Sequence, residues 1–482
     1  MVDLRPVGYV IGLLATVLGA TMILPMLTDI AYGNGEWPVF AISLVLTCLT
    51  GGLLALTCQN GAGEGLTIQQ TFLLTTGVWL VLPIYGALPF WLGATEARFV
   101  DAFFEAMSGM TTTGSTVFTG LDDLPRGLLL WRGLLQWYGG IGIIVFALVF
   151  LPMLKVGGMQ IFRTESFETF GKILPRAAEI ARRIFVIYLG LSVACILAYL
   201  AVGIAPFDAI VHAMTTMSTG GFSTYDASFG MFQGPAEYVA AVFMILASLP
   251  FVRYVQLIAG TAMPLIRDTQ VRDYLLIISA MVVVITIYRI QVNGDYLEHS
   301  VREALFNVTS IISGTGYASV DYQLWGAFPV VLFFLVGLIG GCAGSTGCSV
   351  KIFRYQLLLA SIRSQVRKIH TPSGVFIPRY DGRPVPEGVL SSVMAFFMLF
   401  MVSLAVLSIL LAMTGLDMIT SVSGAATALA NVGPGLGDEI GPSGNFGQLN
   451  DSAKWLLIAG MLIGRLELMS VYVLFTISFW RR

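Results

Sequence analysis

The sequence predicts an all-α polytopic membrane protein, with four pseudo-repeated helix–loop–helix units around one axis and an added N-terminal two-helix hairpin. Three observations support this prediction. Apolar residues make up 56% of the 482-residue chain and charged residues only 11%. The apolar residues fall into long runs, and one short pattern that ends in a glycine-centred loop recurs along the chain.

Ten apolar runs are long enough to cross a bilayer, whose hydrocarbon core of about 30 Å needs about 20 apolar residues per helix. A soluble fold of this length could hardly bury ten such helices on every side. The runs cover 7–32, 38–58, 70–93, 127–152, 183–204, 237–262, 272–292, 327–350, 390–415 and 453–478. The first does not resemble a cleaved signal peptide, because no small-residue cleavage site follows a short apolar core.

The recurring pattern is clearest in the stretches DAFFEAMSGMTTTGST from Asp101 and DAIVHAMTTMSTGGFST from Asp208. A third copy, EALFNVTSIISGTGY, starts at Glu303, and a fourth between Asp417 and Gly435 ends in ANVGPG. Internal repeats of this kind indicate one structural unit used several times. The expected division is a hairpin over 1–68 and repeats over 69–160, 161–265, 266–370 and 371–482.

Basic residues predict the orientation, because Lys and Arg are retained in cytoplasmic loops. Most of the 26 Lys and Arg residues follow the fourth, sixth and eighth runs or lie at the chain ends. This pattern places both termini in the cytoplasm and all four glycine loops on the outside. The two larger basic loops, over 155–183 and 351–388, suit either a protein partner or anchoring to anionic lipid.

Each glycine loop follows an apolar run of about 10 to 13 residues, which is too short to span and predicts a re-entrant half-helix. Irregular backbone at membrane depth is tolerated where it lines a watery cavity. Potassium filters use four such loops, whose backbone carbonyls replace the hydration shell of the ion. The predicted K⁺ filter consists of Thr112, Thr113, Gly114, Thr219, Gly220, Gly221, Gly314, Thr315, Gly316, Asn431, Val432 and Gly433.

With these motifs, the chain resembles the Trk/Ktr/HKT superfamily of potassium transport proteins, and within it the bacterial TrkH/TrkG-type uptake subunits. Besides the first repeat, the resemblance rests on LQWYGGIGIIV, VGGMQIFRTE, IGGCAGSTGCSVK, ANVGPGLG and AKWLLIAGMLIGRLE, and it covers almost the whole chain. It implies one pore in each subunit of a homodimer in the bacterial inner membrane. It also implies a cytosolic ring of nucleotide-binding, TrkA-type regulatory subunits. Relatives with Ser at the first filter glycine tend towards sodium, so Gly114 implies potassium as the transported ion.

A glycine-rich interruption in the run 327–350 is the first of two features that concern gating. It includes Gly340, Gly341, Gly344, Ser345, Thr346 and Gly347. Broken membrane helices commonly line a substrate path. In the family, this segment resembles a loop that obstructs the pore below the filter. The alternative is a glycine kink that allows close packing.

The second gating feature is Arg465, a charge within the tenth run, where it normally faces a cavity or a partner. The resemblance implies a position under the filter, whereas an intramembrane salt bridge with Glu467 is the alternative. The sixth run departs from the enteric relatives at Pro250 and Arg253. These residues predict a kinked helix and a second charge at membrane depth.

Other function classes fit the sequence less well. A membrane-embedded enzyme would need ionisable residues from several runs at one depth, and the three histidines and five cysteines show neither catalytic nor zinc-ligand spacing. No cofactor is expected. A sodium-coupled Ktr-type subunit would share the filter, but the N-terminal hairpin and the motifs favour the Trk type. The filter chemistry does not separate channel-like flux from proton- or sodium-coupled symport.

Overall fold

The computed structural model describes residues 2–61, 66–149, 154, 157–162 and 173–481. Within these ranges the chain is predominantly helical, with one short hairpin that pairs Arg379–Tyr380 with Arg383–Pro384. Lys155, Arg163 and Lys172, which belong to the first predicted basic loop, lie outside the described residues. The prediction of an all-α polytopic membrane protein is confirmed.

Seven helices in the described part of the chain are long and apolar enough to cross a membrane, and two bent helix pairs raise the number to nine. The seven are Arg5–Tyr32, Trp37–Thr57, Ile68–Leu92, Arg126–Leu148, Ala181–Ala201, Thr269–Asn293 and Glu387–Met413. The bent pairs are Pro235–Ala247 with Phe251–Ile258, at 89°, and Asp451–Arg465 with Met469–Phe475, at 104°. Ala181–Ala201 is the apolar part of the longer helix Ile173–Ala201.

The eighth apolar run does not form a full-length helix. Its helix covers only Ala327–Gly337, and the residues after it are irregular until the helix Ile352–His370 begins. Gly340 and Gly344 adopt left-handed backbone conformations, which glycine reaches readily and a right-handed helix excludes. The glycine-rich interruption therefore occupies the second half of this run.

Four half-helices precede the glycine loops. They cover Phe99–Met110, Pro206–Met217, Leu297–Ser313 and Met418–Ala430. The third has 17 residues, more than the expected 10 to 13, because it begins in the polar sequence LEHS ahead of its apolar part. Asp417 caps the fourth by accepting bonds from the backbone amides of Ile419 and Thr420, which have no partner within the helix.

The N-terminal hairpin is held together by small residues. Cβ atoms added to Gly12 and Gly51 would each lie within 3.0 Å of the opposite helix, so the two backbones approach as closely as glycine allows. Such small-residue contacts are a common way to pack helices in membranes. The buried carboxylate of Asp29 then joins the hairpin to the rest of the protein, because it accepts a 2.6 Å bond from the amide of Gly127, at the start of the helix Arg126–Val149.

Candidate functional site

All four half-helices end in the same backbone motif. In each, the first or second residue after the helix has a positive φ. The amide of the residue that follows it donates to the carbonyl five residues earlier, which is a Schellman-type helix end. The residues with positive φ are Thr112, Thr219, Gly314 and Asn431. The bonds run from Thr113 to Ser108, Gly220 to Thr215, Thr315 to Ser310 and Val432 to Thr427, at 2.8 to 3.1 Å. The four predicted filter loops thus share one conformation, although only the third loop has glycine at the residue with positive φ.

The four aligned glycines place the loops around a single axis. An ideal Cβ on each glycine would lie less than 3.0 Å from the carbonyl oxygen that precedes the glycine of the next loop. The pairs are Gly114 with Gly220, Gly221 with Thr315, Gly316 with Val432, and Gly433 with Thr113. The fourth pair leads back to the first loop, so the contacts close a ring in chain order. Any side chain at these positions would have to displace a backbone carbonyl.

Side chains from neighbouring elements hold this ring in place. Gln136 donates a 2.6 Å bond to the carbonyl of Gly220 and accepts one from the amide of Phe222. The hydroxyl of Ser115 donates to the carbonyl of Gly433 at 2.7 Å, which joins the first loop to the fourth. Asn431 donates to the hydroxyl of Thr113 at 2.9 Å, which is a second bond between the first and fourth loops. These bonds fix the loop positions without placing a charge at the axis.

Behind the first loop lies a buried ion pair between Glu105 and Arg132, with 2.8 Å between Oε1 and Nε. Glu105 also accepts bonds from the hydroxyl of Thr116 and the amide of Val117, so it fixes the chain leaving the loop. In the second repeat, His212 occupies the place of Glu105 and contacts the hydroxyl of Ser223 at 3.1 Å. The repeats therefore share the position of the supporting side chain but differ in its chemistry.

Sequence reasoning missed Arg132 and Gln136 as supporting residues. Both lie within an apolar run, where a charged or amide side chain needs a polar partner. A systematic search for polar residues within the predicted spans would have found them. Their partners, the loop carbonyls and Glu105, could not be identified without the structure.

A cavity of about 270 Å³ lies on one side of the ring. All four of the aligned glycines line it, together with residues of the loops that connect each half-helix to the following helix, such as Thr119, Asp226 and Asn445. Hydroxyl, amide and carboxylate side chains thus contribute to its walls, in contrast to the apolar spanning helices around it. An ion could enter this vestibule with part of its hydration shell.

On the other side of the ring, the glycine-rich segment crosses beneath the loops and bonds to the bent sixth span. The amide of Cys342 donates to the carbonyl of Ser248 at 3.0 Å, and the Thr346 hydroxyl donates to the carbonyl of Ala247 at 2.9 Å. These carbonyls are available because the helix ends at Ala247, ahead of Pro250. The bend predicted at Pro250 thus supplies acceptors to the segment.

Cys348, at the end of this segment, lies directly beneath the loops. Its Sγ is 3.7 Å from the hydroxyl of Thr112 in the first loop, and a Cβ on Gly314 in the third loop would lie 3.1 Å from the Cβ of Cys348. The first and third loops face each other across the ring. A residue that contacts both of them therefore lies close beneath the axis.

Arg465 reaches the same place from the tenth span. It is only 4% exposed, and it donates to Cys348 Sγ at 2.6 Å and to the carbonyl of Gly139 at 3.3 Å. The alternative, a salt bridge with Glu467, does not describe this geometry: Glu467 pairs with Arg354. Among the described residues, no carboxylate is paired with Arg465. A positive charge therefore stands close beneath the ring.

The second basic loop differs from the sequence expectation at its start. Lys351 and Arg354 are buried rather than free for docking, and Arg354 donates to the carbonyl of Gly157 as well as to Glu467. The fold holds the Lys351 side chain as well, because its ammonium group donates to the carbonyl of Gly347. Further along the helix Ile352–His370, the basic residues Arg363, Arg367 and Lys368 are exposed.

Comparison with known proteins agrees with this architecture. The family model described as "TrkH: Cation transport protein" matches residues 36–481. The Trk system potassium uptake protein TrkI of Halomonas elongata is 43% identical over 479 residues, 99% of this chain and 97% of that protein. TrkH of Escherichia coli is 36% identical over 484 residues, 99% of each chain. The crystal structure of the potassium transporter TrkH from Vibrio parahaemolyticus matches with a TM-score of 0.92 and 33% identity, covering 100% of both chains.

Proposed function

The chain belongs to the TrkH family of cation transport proteins, and we propose that it takes up potassium through the ring of loop carbonyls. The observation that carries the proposal is the closed ring in which each filter glycine faces a carbonyl of the next loop. Several relatives are named as potassium uptake proteins, which supports the choice of ion. In the orientation proposed from the basic residues, the vestibule faces the outside of the cell, and the ion enters the ring through it.

Potassium selection follows from the carbonyl groups that the ring presents to an ion. Carbonyl oxygens are neutral, oriented dipoles that replace the hydration shell of a cation. Each half-helix also directs its C-terminal end, which carries a partial negative charge, towards the ring. Glycine at positions 114, 221, 316 and 433 allows the carbonyls to approach from all four sides. A side chain at any of these positions would widen or distort the cage.

The glycine-rich segment and Arg465 form the proposed gate. A cation leaving the filter meets Cys348 and, close by, the guanidinium of Arg465. At about 6 Å and an effective dielectric constant of about 20, two unit charges repel by about 3 kcal/mol. A barrier of that size slows passage by about two orders of magnitude. Opening then requires the segment to move, the arginine to move, or both.

A cytosolic nucleotide-binding subunit is the proposed regulator, and the chain is proposed to act as a homodimer in the inner membrane. The exposed basic residues of the helix Ile352–His370 provide a docking surface. That helix follows the glycine-rich segment directly, and the amide of Ile352 bonds to the carbonyl of Gly341 at 3.1 Å. A displacement of the helix would therefore pull on the segment. A ligand of the regulator can bias the gate only if it distinguishes the two states.

Rb⁺ uptake into proteoliposomes held at zero membrane potential tests the function. Uptake that depends on the filter glycines, and that K⁺ inhibits more strongly than Na⁺, is the expected result. Measurements with and without a proton or sodium gradient separate a gated pore from coupled transport. Uptake that requires a sodium gradient would favour the alternative, a sodium-coupled Ktr-type subunit. Proteoliposomes without K⁺-sensitive Rb⁺ uptake, despite correctly folded protein, would contradict the proposal.

A further inference from the structure

A cavity of about 410 Å³ lies between the N-terminal hairpin and the first repeat, outside the ring of filter loops. Its walls come from the helices Arg5–Thr21, Ile68–Gly86 and Arg126–Val149. The lining is almost entirely apolar. Water molecules are poorly stabilised in such a site, because each buried water needs polar groups as hydrogen-bond partners.

The cavity opens towards lipid at one end and reaches the filter region at the other. Leu14 and Val17, at its mouth, are 39% and 60% exposed on the membrane-facing side of the hairpin. Trp79 and Met110, at its floor, are 5% and 4% exposed. The occupant must therefore be able to enter from the hydrocarbon phase.

The length of the cavity matches one leaflet. Along the first helix it extends from Val10 to Thr21, and about eleven steps at 1.5 Å per residue give about 16 Å. The hydrocarbon core is about 30 Å thick, so each leaflet contributes about 15 Å. A single hydrocarbon chain that enters from that leaflet fits this length.

We propose that this cavity is a binding site for one phospholipid acyl chain, which supports the first filter loop and Arg465 from the side. Two contacts connect the cavity floor to the pore. Met110 is the last residue of the first half-helix, two positions before Thr112. The guanidinium of Arg465 lies 5.6 Å from the centre of the Trp79 ring. A chain in the cavity packs against both floor residues.

Fluorescence quenching by lipids with brominated acyl chains tests the occupancy, and this measurement does not depend on the ion transported. The Trp79 signal is the difference in fluorescence between the wild-type protein and the Trp79→Phe variant. It is measured in the full-length protein, once in brominated and once in ordinary phosphatidylcholine. We expect this signal to be at least threefold smaller in the brominated lipid. An equal Trp79 signal in both lipids would overturn the proposal, whether the cavity is empty or covered by a second copy of the chain.

A cavity-filling variant provides the second test. A Cβ on Gly142 would lie 3.6 Å from the Trp79 ring, an ordinary contact, so Gly142→Leu extends into the cavity. It should restore the Trp79 signal in brominated lipid to at least half of its value in ordinary lipid. Gly52→Leu is the matched control, because a Cβ there meets nothing within 4 Å. Restoration by both variants, or by neither, would count against an acyl chain in this cavity.

The effect on transport rests on the proposed function and is measured separately. Rb⁺ uptake should change at least twofold between lipids of short and long acyl chains in the wild-type protein and in Gly52→Leu. Gly142→Leu should abolish that dependence, since its side chain replaces the lipid. If Gly142→Leu responds to chain length as the wild type does, the support of the filter by the chain is refuted. Absence of Rb⁺ uptake in all three proteins would instead refute the proposed function.

Discussion

Gly316 faces the carbonyl oxygen of Val432 so closely that a Cβ on the glycine would lie less than 3.0 Å from it. The same relationship joins each of the four loops to the next and closes the ring. The effect of adding a side chain at these glycines on ion selectivity therefore measures how rigidly the loops hold the carbonyl oxygens.

Serine at a filter glycine should weaken selectivity. Gly114→Ser and Gly316→Ser both force a backbone carbonyl to move and place a side chain where φ is positive. We expect the K⁺/Na⁺ permeability ratio to fall at least tenfold, which corresponds to about 1.4 kcal/mol. Gly190→Ser is the control, because a Cβ at that helical position meets nothing within 4 Å. Unchanged permeability ratios in both filter variants would contradict the filter assignment.

Removal of the positive charge beneath the ring should raise the K⁺ flux. Arg465→Ala eliminates the repulsion of a cation at that depth, so initial Rb⁺ uptake should increase by up to about two orders of magnitude at equal protein density. Arg465→Lys keeps the charge and serves as the control, with uptake expected near the wild-type rate. A folded Arg465→Ala protein whose uptake is unchanged or lower would show that this arginine is not a barrier.

Loosening the glycine-rich segment should also raise the flux. Thr346→Val removes the hydroxyl that bonds to the carbonyl of Ala247, a contribution of about 1 kcal/mol. Basal Rb⁺ uptake should rise up to about fivefold, and deletion of 341–347 should raise it further. Thr50→Val is the control, because it removes a hydroxyl bond to Leu46 within one helix of the N-terminal hairpin. Equal responses to the two threonine substitutions would argue against a gate at Thr346.

Charge reversal on the exposed part of the helix Ile352–His370 should uncouple the regulator. Arg363→Glu, Arg367→Glu and Lys368→Glu together should abolish co-purification with the nucleotide-binding subunit and the response of Rb⁺ uptake to nucleotides. Reversal of Arg267 and Arg272, which are also exposed, is the control. Retention of both properties in the triple variant would refute docking on this helix. If reversal only weakens membrane association, the basic residues act as a lipid anchor.

The cap of the fourth half-helix should give a pH-dependent contribution to stability. The hydrogen bond from the Thr420 side chain, with the amides of Thr420 and Ile419, holds the pKa of Asp417 below its usual range. Because the folded-state pKa is lowered, the stabilisation is present at neutral pH and is lost as the pH falls through that pKa. For this exposed carboxylate, Asp417→Ala should cost about 0.5 kcal/mol at pH 7.

Thermal unfolding in detergent, followed from pH 7 to pH 3, checks this prediction. The Tm difference between the wild-type protein and Asp417→Ala should be largest at neutral pH and should shrink below about pH 4. Asp417→Asn keeps the capping oxygen without the charge, so its Tm difference from Asp417→Ala should be smaller and independent of pH. A gap between wild type and Asp417→Ala that is constant with pH would contradict the role of the carboxylate charge.

The membrane fold can be predicted from the sequence because hydrophobic length and repeated glycines are local signals. The runs that form the hairpin and the third, fourth and ninth spans appear in the structure within a few residues of their predicted limits. Helix ends are harder to predict: the eighth run contains only the helix Ala327–Gly337. There the apolar character continues through a segment whose backbone is fixed by tertiary bonds to Ala247 and Ser248.

The candidate site is predictable in its loops and less so in its surroundings. The aligned glycines indicate four equivalent loops, but their cyclic order depends on contacts between distant repeats. The pairing of Glu467 with Arg354, rather than with Arg465, is equally non-local. Burial of Lys351 and Arg354 cannot be predicted, because a basic residue after a broken helix has the same sequence pattern whether it is exposed or paired.

Anomalous diffraction from crystals soaked in Rb⁺ tests the central claim most directly. We predict at least one Rb⁺ peak on the axis of the ring, at similar distances from the carbonyl oxygens of Thr113, Gly220, Thr315 and Val432, and loss of that peak in excess K⁺ but not in excess Na⁺. Well-ordered loops with no Rb⁺ peak on the axis, or a peak that Na⁺ displaces as readily as K⁺ does, would contradict a potassium filter at this site.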